Sequence, residues 1–143
     1  MKLRIDLSEN LETSGAIRSA KNIRQNVLHQ LKLLNKQLNT PESLRCVSYS
    51  LEKIGEIEEA EGNLDMARIL FAESLEISRK LAEQLSTPQS LRDVFVSLNK
   101  VGEIEQAEGN LDSARTLYSE GLEISRKIAE QLNSDRSVKT LLA

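Results

Sequence analysis

The chain of 143 residues contains one 47-residue segment written twice in succession, as residues 40–86 and 87–133. Both copies begin with Thr-Pro, and both contain the identical strings GEIE, EGNLD and LEISRK in the same order and at the same spacing. A fixed period of this length is the signature of a stacked repeat array, in which each unit buries its apolar face mainly against its neighbours. The repeat therefore predicts an array whose role is binding.

The repeat continues in part beyond both copies. Shifts by whole periods align residues 14–39 with the second half of a unit and residues 134–143 with the start of another. We therefore predict one repeat domain over residues 14–143, which consists of a half unit, two full units and a truncated unit. Residues 1–13 are predicted to be a leader that either is disordered or packs along the array. The truncated unit is expected either to cap the array or to belong to a longer one.

Each unit divides into two amphipathic helices, because apolar residues recur at spacings of three and four in both halves. Thr40 and Thr87 are predicted N-caps, each followed by Pro at the first helical position. Gly62 and Gly109 can supply the left-handed residue that ends a first helix, and the Asn after each glycine is predicted to cap the second helix. The predicted helices are 14–38, 41–61, 64–86, 88–108, 111–133 and a short sixth after residue 133.

Composition agrees with an all-α fold, since aromatic residues make up 3% of the chain and Leu, Glu, Ser, Ala and Lys/Arg dominate. Residues 1–47 hold 8 basic and 4 acidic side chains, whereas residues 48–133 hold 9 basic and 17 acidic ones. The acidic repeat body argues against nucleic acid as a partner.

Cys46 is the only cysteine, so the chain forms no internal disulfide. Because the sequence shows neither a signal peptide nor an apolar run of membrane-spanning length, we expect a cytoplasmic protein without a membrane partner.

The spacing of the residues that both units share resembles that of the tetratricopeptide repeat, and the resemblance covers about residues 14–143. The residues that carry it are Leu51, Ile54, Gly55, Gly62, Ala67 and Phe71 in the first unit and Leu98, Val101, Gly102, Gly109, Ala114 and Tyr118 in the second. The resemblance implies an all-α, right-handed superhelix of antiparallel helix hairpins. The 47-residue period is longer than the family's usual period of about 34. It is similar to the long-helix variants of the kinesin light chain type.

The chain departs from the family pattern at several positions, which affects the expected superhelix pitch and groove shape more than the fold. Leu51 and Leu98 replace the large aromatic residue of the first helix, and Ser74 or Gly121 stands at the late small position. Other departures are Glu58 and Glu105 at the tyrosine position, and Arg79 and Arg126 at the helix-ending proline.

The resemblance implies that a peptide or helix binds on the concave surface formed by the first helices. The residues at the matching positions are Tyr49, Glu52, Glu56, Glu59, Val96, Asn99, Glu103 and Gln106. They lie off the apolar stripe and are mainly acidic, so a basic or amphipathic segment is the expected ligand. The alternative interpretation is an ordinary solvated helix face, because Glu is a good helix former.

We expect no catalysis, metal or cofactor, because no convergent set of acid, base and nucleophile is visible. The sole histidine, His29, has no Glu three residues before it, as a carboxylate metal centre in a helical bundle usually requires. The main functional hypothesis is a non-catalytic protein-interaction module. The alternative is a structural unit that self-associates through exposed repeat ends, with Val138, Leu141 and Leu142 as the candidate contacts.

Overall fold

The computed structural model describes the backbone of residues 2–142 and the side chains of residues 15, 16, 18–137 and 139–142. Within this part of the chain the secondary structure is entirely α-helical, which confirms the predicted all-α class. The five helices are α1 Lys2–Leu38, α2 Pro41–Ala60, α3 Leu64–Leu85, α4 Pro88–Ala107 and α5 Leu111–Leu142.

The starts of α2 and α4 are fixed by the predicted threonine caps. The Thr40 hydroxyl accepts a hydrogen bond from the Ser43 amide at 3.2 Å, and the Ser43 hydroxyl accepts one from the Thr40 amide at 3.2 Å. Thr87 and Ser90 form the same capping box in the second unit. These reciprocal bonds satisfy amide groups that have no partner within the helix, so the Thr-Pro signal placed both helix starts correctly.

The turns between the helices of a unit confirm the glycine prediction, whereas the predicted asparagine cap of α3 is only positional. Gly62 and Gly109 both have φ +83°, a conformation that costs glycine little. Asn63, however, makes no side-chain capping bond to α3. Its Nδ2 group donates to the Glu58 carboxylate at 2.8 Å and so gives this buried carboxylate a hydrogen-bond partner.

The predicted short sixth helix is wrong, because α5 continues without interruption to Leu142. After α3 the chain turns at Ser86, whose φ is 50°, and Thr87-Pro88 then starts the next helix. Proline disfavours helical geometry in the residue before it and so enforces this break. Ser134-Asp135 occupies the equivalent place after the second unit and contains no proline, so nothing interrupts the helix there.

Helix α1 also begins earlier than the repeat alignment indicated. Its backbone is helical from Lys2, so the expected boundary at residue 14 falls inside a continuous helix. The division of the chain into a leader over residues 1–13 and a repeat domain stays a prediction, since the side chains of residues 1–14 lie outside the described ones.

Each helix packs against the next one along the chain, and a cluster of buried apolar residues lies between α3, α4 and α5. Val47, Leu51 and Ile54 of α2 are buried as well. Within a unit the two helices are antiparallel and approach closely where the first carries glycine. A Cβ atom at Gly55 would lie 2.5 Å from the Phe71 ring, and one at Gly102 would lie 2.8 Å from the Tyr118 ring. The buried apolar residues of this cluster are Ala67, Phe71, Leu75, Val94, Leu98, Val101, Ile104 and Ile124.

No helix within residues 2–142 is both long enough and apolar enough to cross a lipid bilayer.

Candidate protein-binding groove

A groove of about 1050 Å³ lies between α1, α2 and the start of α4. Its walls are mainly apolar, although the side chains that form them are open to solvent: Ile23 is 64% exposed and Tyr49 is 62% exposed. A contiguous, exposed apolar surface of this kind is a candidate site of interaction. We call it the apolar groove, and its apolar lining consists of Ala20, Ile23, Val27, Leu31, Cys46, Tyr49 and Val96.

The repeat relates the α1 wall of the apolar groove to helix faces that are covered elsewhere in the molecule. One period after Val27 comes Ser74 of α3, whose hydroxyl lies 2.7 Å from the Ser48 hydroxyl of α2. Two periods after Val27 comes Gly121 of α5, where an added Cβ would lie 3.5 Å from the Phe95 ring of α4. At both later positions a first helix covers this face. On α1 the same face forms the open groove.

The charged rim of the apolar groove holds both signs. Arg45 of α2 donates to Asp93 of α4 at 2.8 Å, and this hydrogen bond, together with the Asp93 charge, raises the pKa of Arg45. The Lys53 ammonium lies 5.3 Å from the centre of the Tyr49 ring, a distance that allows a cation–π interaction. Glu42 and Arg24 complete the rim. The groove itself is therefore not mainly acidic.

Of the eight residues expected on the concave surface, the structure brings Tyr49, Glu52 and Val96 together as part of the apolar groove. The Glu52 carboxylate is turned inward, where it accepts hydrogen bonds from Ser74 at 3.1 Å and from Ser97 at 2.8 Å. These hydrogen bonds connect α2, which carries Glu52, to α3 and to α4. This carboxylate therefore has a structural role.

The other five expected residues lie along α2 and α4 outside the groove lining. Glu56 lies 3.2 Å from Lys53 and 3.5 Å from Lys100, and Gln106 accepts a hydrogen bond from the Tyr118 hydroxyl at 3.1 Å. The remaining three are the half-buried Glu59 and Asn99 and the exposed Glu103. That these positions bind a ligand stays a prediction.

Glu103 also acts on its neighbour Tyr118. Burial of the Tyr118 hydroxyl, followed by the nearby negative charge of Glu103, raises the pKa of this tyrosine. Both effects favour the protonated phenol, which is the form that donates the hydrogen bond to Gln106.

The α1 wall was not among the predicted binding residues, because the tetratricopeptide resemblance implies binding by first helices only. The signal was present: Ile23, Val27 and Leu31 recur at spacings of four and form a second apolar stripe beside the one that includes Leu28. An α1 with two apolar stripes has one face for α2 and another for a further partner.

The expected self-association residues lie at the opposite end of the molecule. Leu141 is 86% exposed and Leu142 is 83% exposed, and the side chain of Val138 lies outside the described ones. Among the side chains that are described, no group of three or more His, Cys, Asp or Glu is arranged to hold a metal ion.

No family model matches the chain, and no curated protein or solved structure matches it either. The interpretation of the groove therefore rests on its geometry and on the internal repeat.

Proposed function

We propose that the chain is a non-catalytic protein-interaction module, a right-handed superhelix of the tetratricopeptide type, whose apolar groove binds an amphipathic helix of a partner protein. The observation that carries the proposal is the open α1 face at Ile23, Val27 and Leu31, the one-period equivalent of the face of α3 that α2 covers.

The repeat favours a helix over an extended peptide as the ligand. Helix α2 lies against α3 through Ser48, and α4 lies against α5 through Phe95. A partner helix in the apolar groove would occupy the corresponding place against α1. Helices dock in such grooves through apolar side chains at spacings of three, four and seven residues. The ligand is therefore an amphipathic helix with one apolar face.

The charge of the ligand follows from the rim. Arg45 and Asp93 already pair with each other, and Glu52 is hydrogen-bonded within the protein. The rim thus offers little net charge, and the specificity of the groove comes chiefly from apolar shape. This favours an amphipathic ligand over a strongly basic one.

The test compares two exposed isoleucines of similar exposure. Ile23→Asp places a charge in the apolar groove, whereas Ile69→Asp places one on α3 outside the groove lining, where Ile69 is 59% exposed. Each variant is immobilised and used to capture proteins from a lysate of the source cells, with quantification by mass spectrometry. We expect one partner to be lost with Ile23→Asp and retained with Ile69→Asp. Equal recovery with both variants, or no protein enriched by the unmodified chain, would exclude the groove as its site.

Self-association is the second candidate, because Leu141 and Leu142 expose large apolar side chains at the end of α5. If these residues join two copies, the chain should have a dimeric mass by light scattering at high concentration. Leu141→Ser combined with Leu142→Ser should return it to a monomer, and Ile23→Asp should leave the dimer intact. A monomeric mass for the unmodified chain rejects this candidate.

A further inference from the structure

Ion pairs between the second helix of one unit and the unit that follows recur with the 47-residue period. We call them the ion-pair ladder, and the pairs made by one cation and by its equivalent in the next unit form a rung. The Lys21 ammonium of α1 pairs with Glu58 and Glu61 at the end of α2. One period later, Arg68 of α3 pairs with Glu105 and Glu108 at the end of α4. In both cases a second helix presents a cation to two carboxylates three residues apart in the unit that follows. The hydrogen bonds to these carboxylates raise the pKa of Lys21 and of Arg68.

The second rung lies eleven residues further along the same helices. Lys32 of α1 lies 3.1 Å from Glu73 of α3, and Arg79 of α3 lies 2.7 Å from Glu120 of α5. The two rungs together give every junction between units the same charge pattern, basic on the earlier second helix and acidic on the later unit.

One more period places both cations on α5, as Arg115 and Arg126. Among the described side chains Arg115 has no ion-pair partner, and Arg126 has only Glu123 of its own helix, at 3.4 Å. The cationic half of a third junction is therefore present and lacks the acidic half that its two counterparts have.

The apolar part of this third junction is open as well. Leu75 of α3 is 6% exposed beneath α4, whereas its equivalent on α5, Leu122, is 56% exposed. Ala129 is exposed, while its equivalent Ala82 packs against the core. We call this surface the α5 end face, and it consists of Arg115, Leu122, Arg126 and Ala129.

The structure assigns the α5 end face to an acidic helical hairpin of a partner protein. The hairpin carries Glu-x-x-Glu at the end of its first helix to meet Arg115, and a further acid on its second helix to meet Arg126. Eleven residues separate the two arginines, or about 16 Å along α5. A ligand must match this distance as well as cover Leu122.

Among the described side chains of a second copy, the carboxylates at the ends of α2 and α4 are already paired within their own chain. Glu58 and Glu61 are taken up by Lys21 of their own chain. The α1 residue equivalent to Glu73 and Glu120 is Asn26, which carries no charge. Charge complementarity thus selects a different, acidic partner.

The probe for this proposal is a fluorescein-labelled peptide of residues 87–110, the α4 segment that covers α3 here, constrained as a helix by a side-chain staple on its solvent face. Binding to the whole chain is measured by fluorescence anisotropy.

Arg115→Glu in the protein should weaken binding at least tenfold, and Glu105→Arg with Glu108→Arg in the peptide should restore it. The acid proposed to meet Arg126 lies on the second helix of the hairpin, which this one-helix probe lacks. Arg126→Glu should therefore have a smaller effect. Lys127→Glu is the matched control for added negative charge on α5 and should change the affinity less than threefold.

Three results would overturn the assignment. They are no binding by the unmodified chain, equal loss with Arg115→Glu and Lys127→Glu, and failure of the charge exchange to restore binding while circular dichroism shows intact helices. A dimer detected by light scattering that blocks peptide binding would also overturn the assignment, because a second copy would then occupy the α5 end face. Ile23→Asp should leave peptide binding unchanged, which separates this surface from the apolar groove.

Discussion

Gly55 and Gly102 show how a single missing side chain determines the distance between the helices of a unit. Each glycine faces the ring of the aromatic residue on the following helix, and a Cβ atom at either position would overlap that ring. The two sites differ in what can move. Phe71 is fully buried, whereas Tyr118 reaches solvent in part. The same substitution should therefore cost more in the first unit.

We expect Gly55→Ala to lower the free energy of unfolding by about 1–3 kcal/mol, because the overlap with Phe71 outweighs the gain of about 1 kcal/mol in helix propensity. Gly102→Ala should cost less. Gly15→Ala is the control, since no atom lies within 4 Å of an added Cβ there and the propensity gain remains. Urea unfolding followed by circular dichroism measures all three. A neutral Gly55→Ala would show that the helices separate freely at this point.

Glu58 is a buried carboxylate that depends on its partners for its charge. Burial opposes ionisation, but hydrogen bonds from Lys21 and Asn63 and the charge of Lys21 outweigh it, so the pKa of Glu58 is lowered. A lowered folded-state pKa means that the stabilisation is complete above the ordinary glutamate pKa and is lost as the pH falls through the folded value.

Glu58→Gln should therefore destabilise the protein at pH 7, by about 1–3 kcal/mol as for a charge-assisted hydrogen bond, and the difference from the unmodified chain should shrink as the pH falls below 4. Glu105→Gln is the matched variant in the second unit, where the carboxylate is less buried, and its effect should be smaller. Urea midpoints at pH 7 and pH 3.5 provide the comparison. A gap that is independent of pH would mean that ionisation of Glu58 contributes nothing.

At the scale of the helices, the sequence predicted the boundaries wherever the breaking residues are explicit. Thr-Pro and glycine signals placed the starts of α2 and α4 and the turns before α3 and α5, because these residues act through their own backbone preferences. It failed at the end of α5, where alignment with the earlier units suggested a break but Ser134-Asp135 lacks the proline that enforces one. Alignment indicates where a helix end is expected, but only a helix-breaking residue such as proline causes the helix to end there.

Restoring that residue should restore the break. Ser134→Thr with Asp135→Pro recreates the Thr-Pro start of a unit, and we expect α5 to end near Leu132 with a separate short helix after it. Backbone chemical shifts measured by nuclear magnetic resonance locate the helix end. Asp135→Ala is the control and should leave α5 continuous. An unbroken helix in the double variant would show that tertiary packing, and not the missing proline, keeps α5 straight.

At the scale of the whole molecule, the uneven charge of the chain has an internal use that the sequence did not reveal. The basic first third and the acidic repeat body meet at the ion-pair ladder, where α1 supplies Lys21 and Lys32. The acids in the ladder are Glu58, Glu61, Glu73, Glu105, Glu108 and Glu120. Much of the acidic excess that suggested a basic ligand therefore holds the units together. The pattern was visible as charges recurring at the repeat period, but the pairing of partners on different helices required the fold.

The candidate binding surfaces follow from the same periodicity. A position that is covered in one unit and open in another marks where a further helix fits, and both the apolar groove and the α5 end face are found this way. Apolar stripes predict which helix faces are buried, but whether a face is covered by the chain itself depends on how many units stand beside it.

Site-specific cross-linking from the apolar groove tests the proposed function most directly. Tyr49 is replaced by the photoreactive residue benzoylphenylalanine, the chain is irradiated in the source cells, and the adducts are mapped by mass spectrometry. We expect adducts on one partner protein, at residues three or four apart within a single amphipathic helical segment, and we expect them to disappear when Ile23→Asp is added. Adducts on a second copy of this chain, or a yield no higher than from the same label at Ile69, would contradict the proposed function.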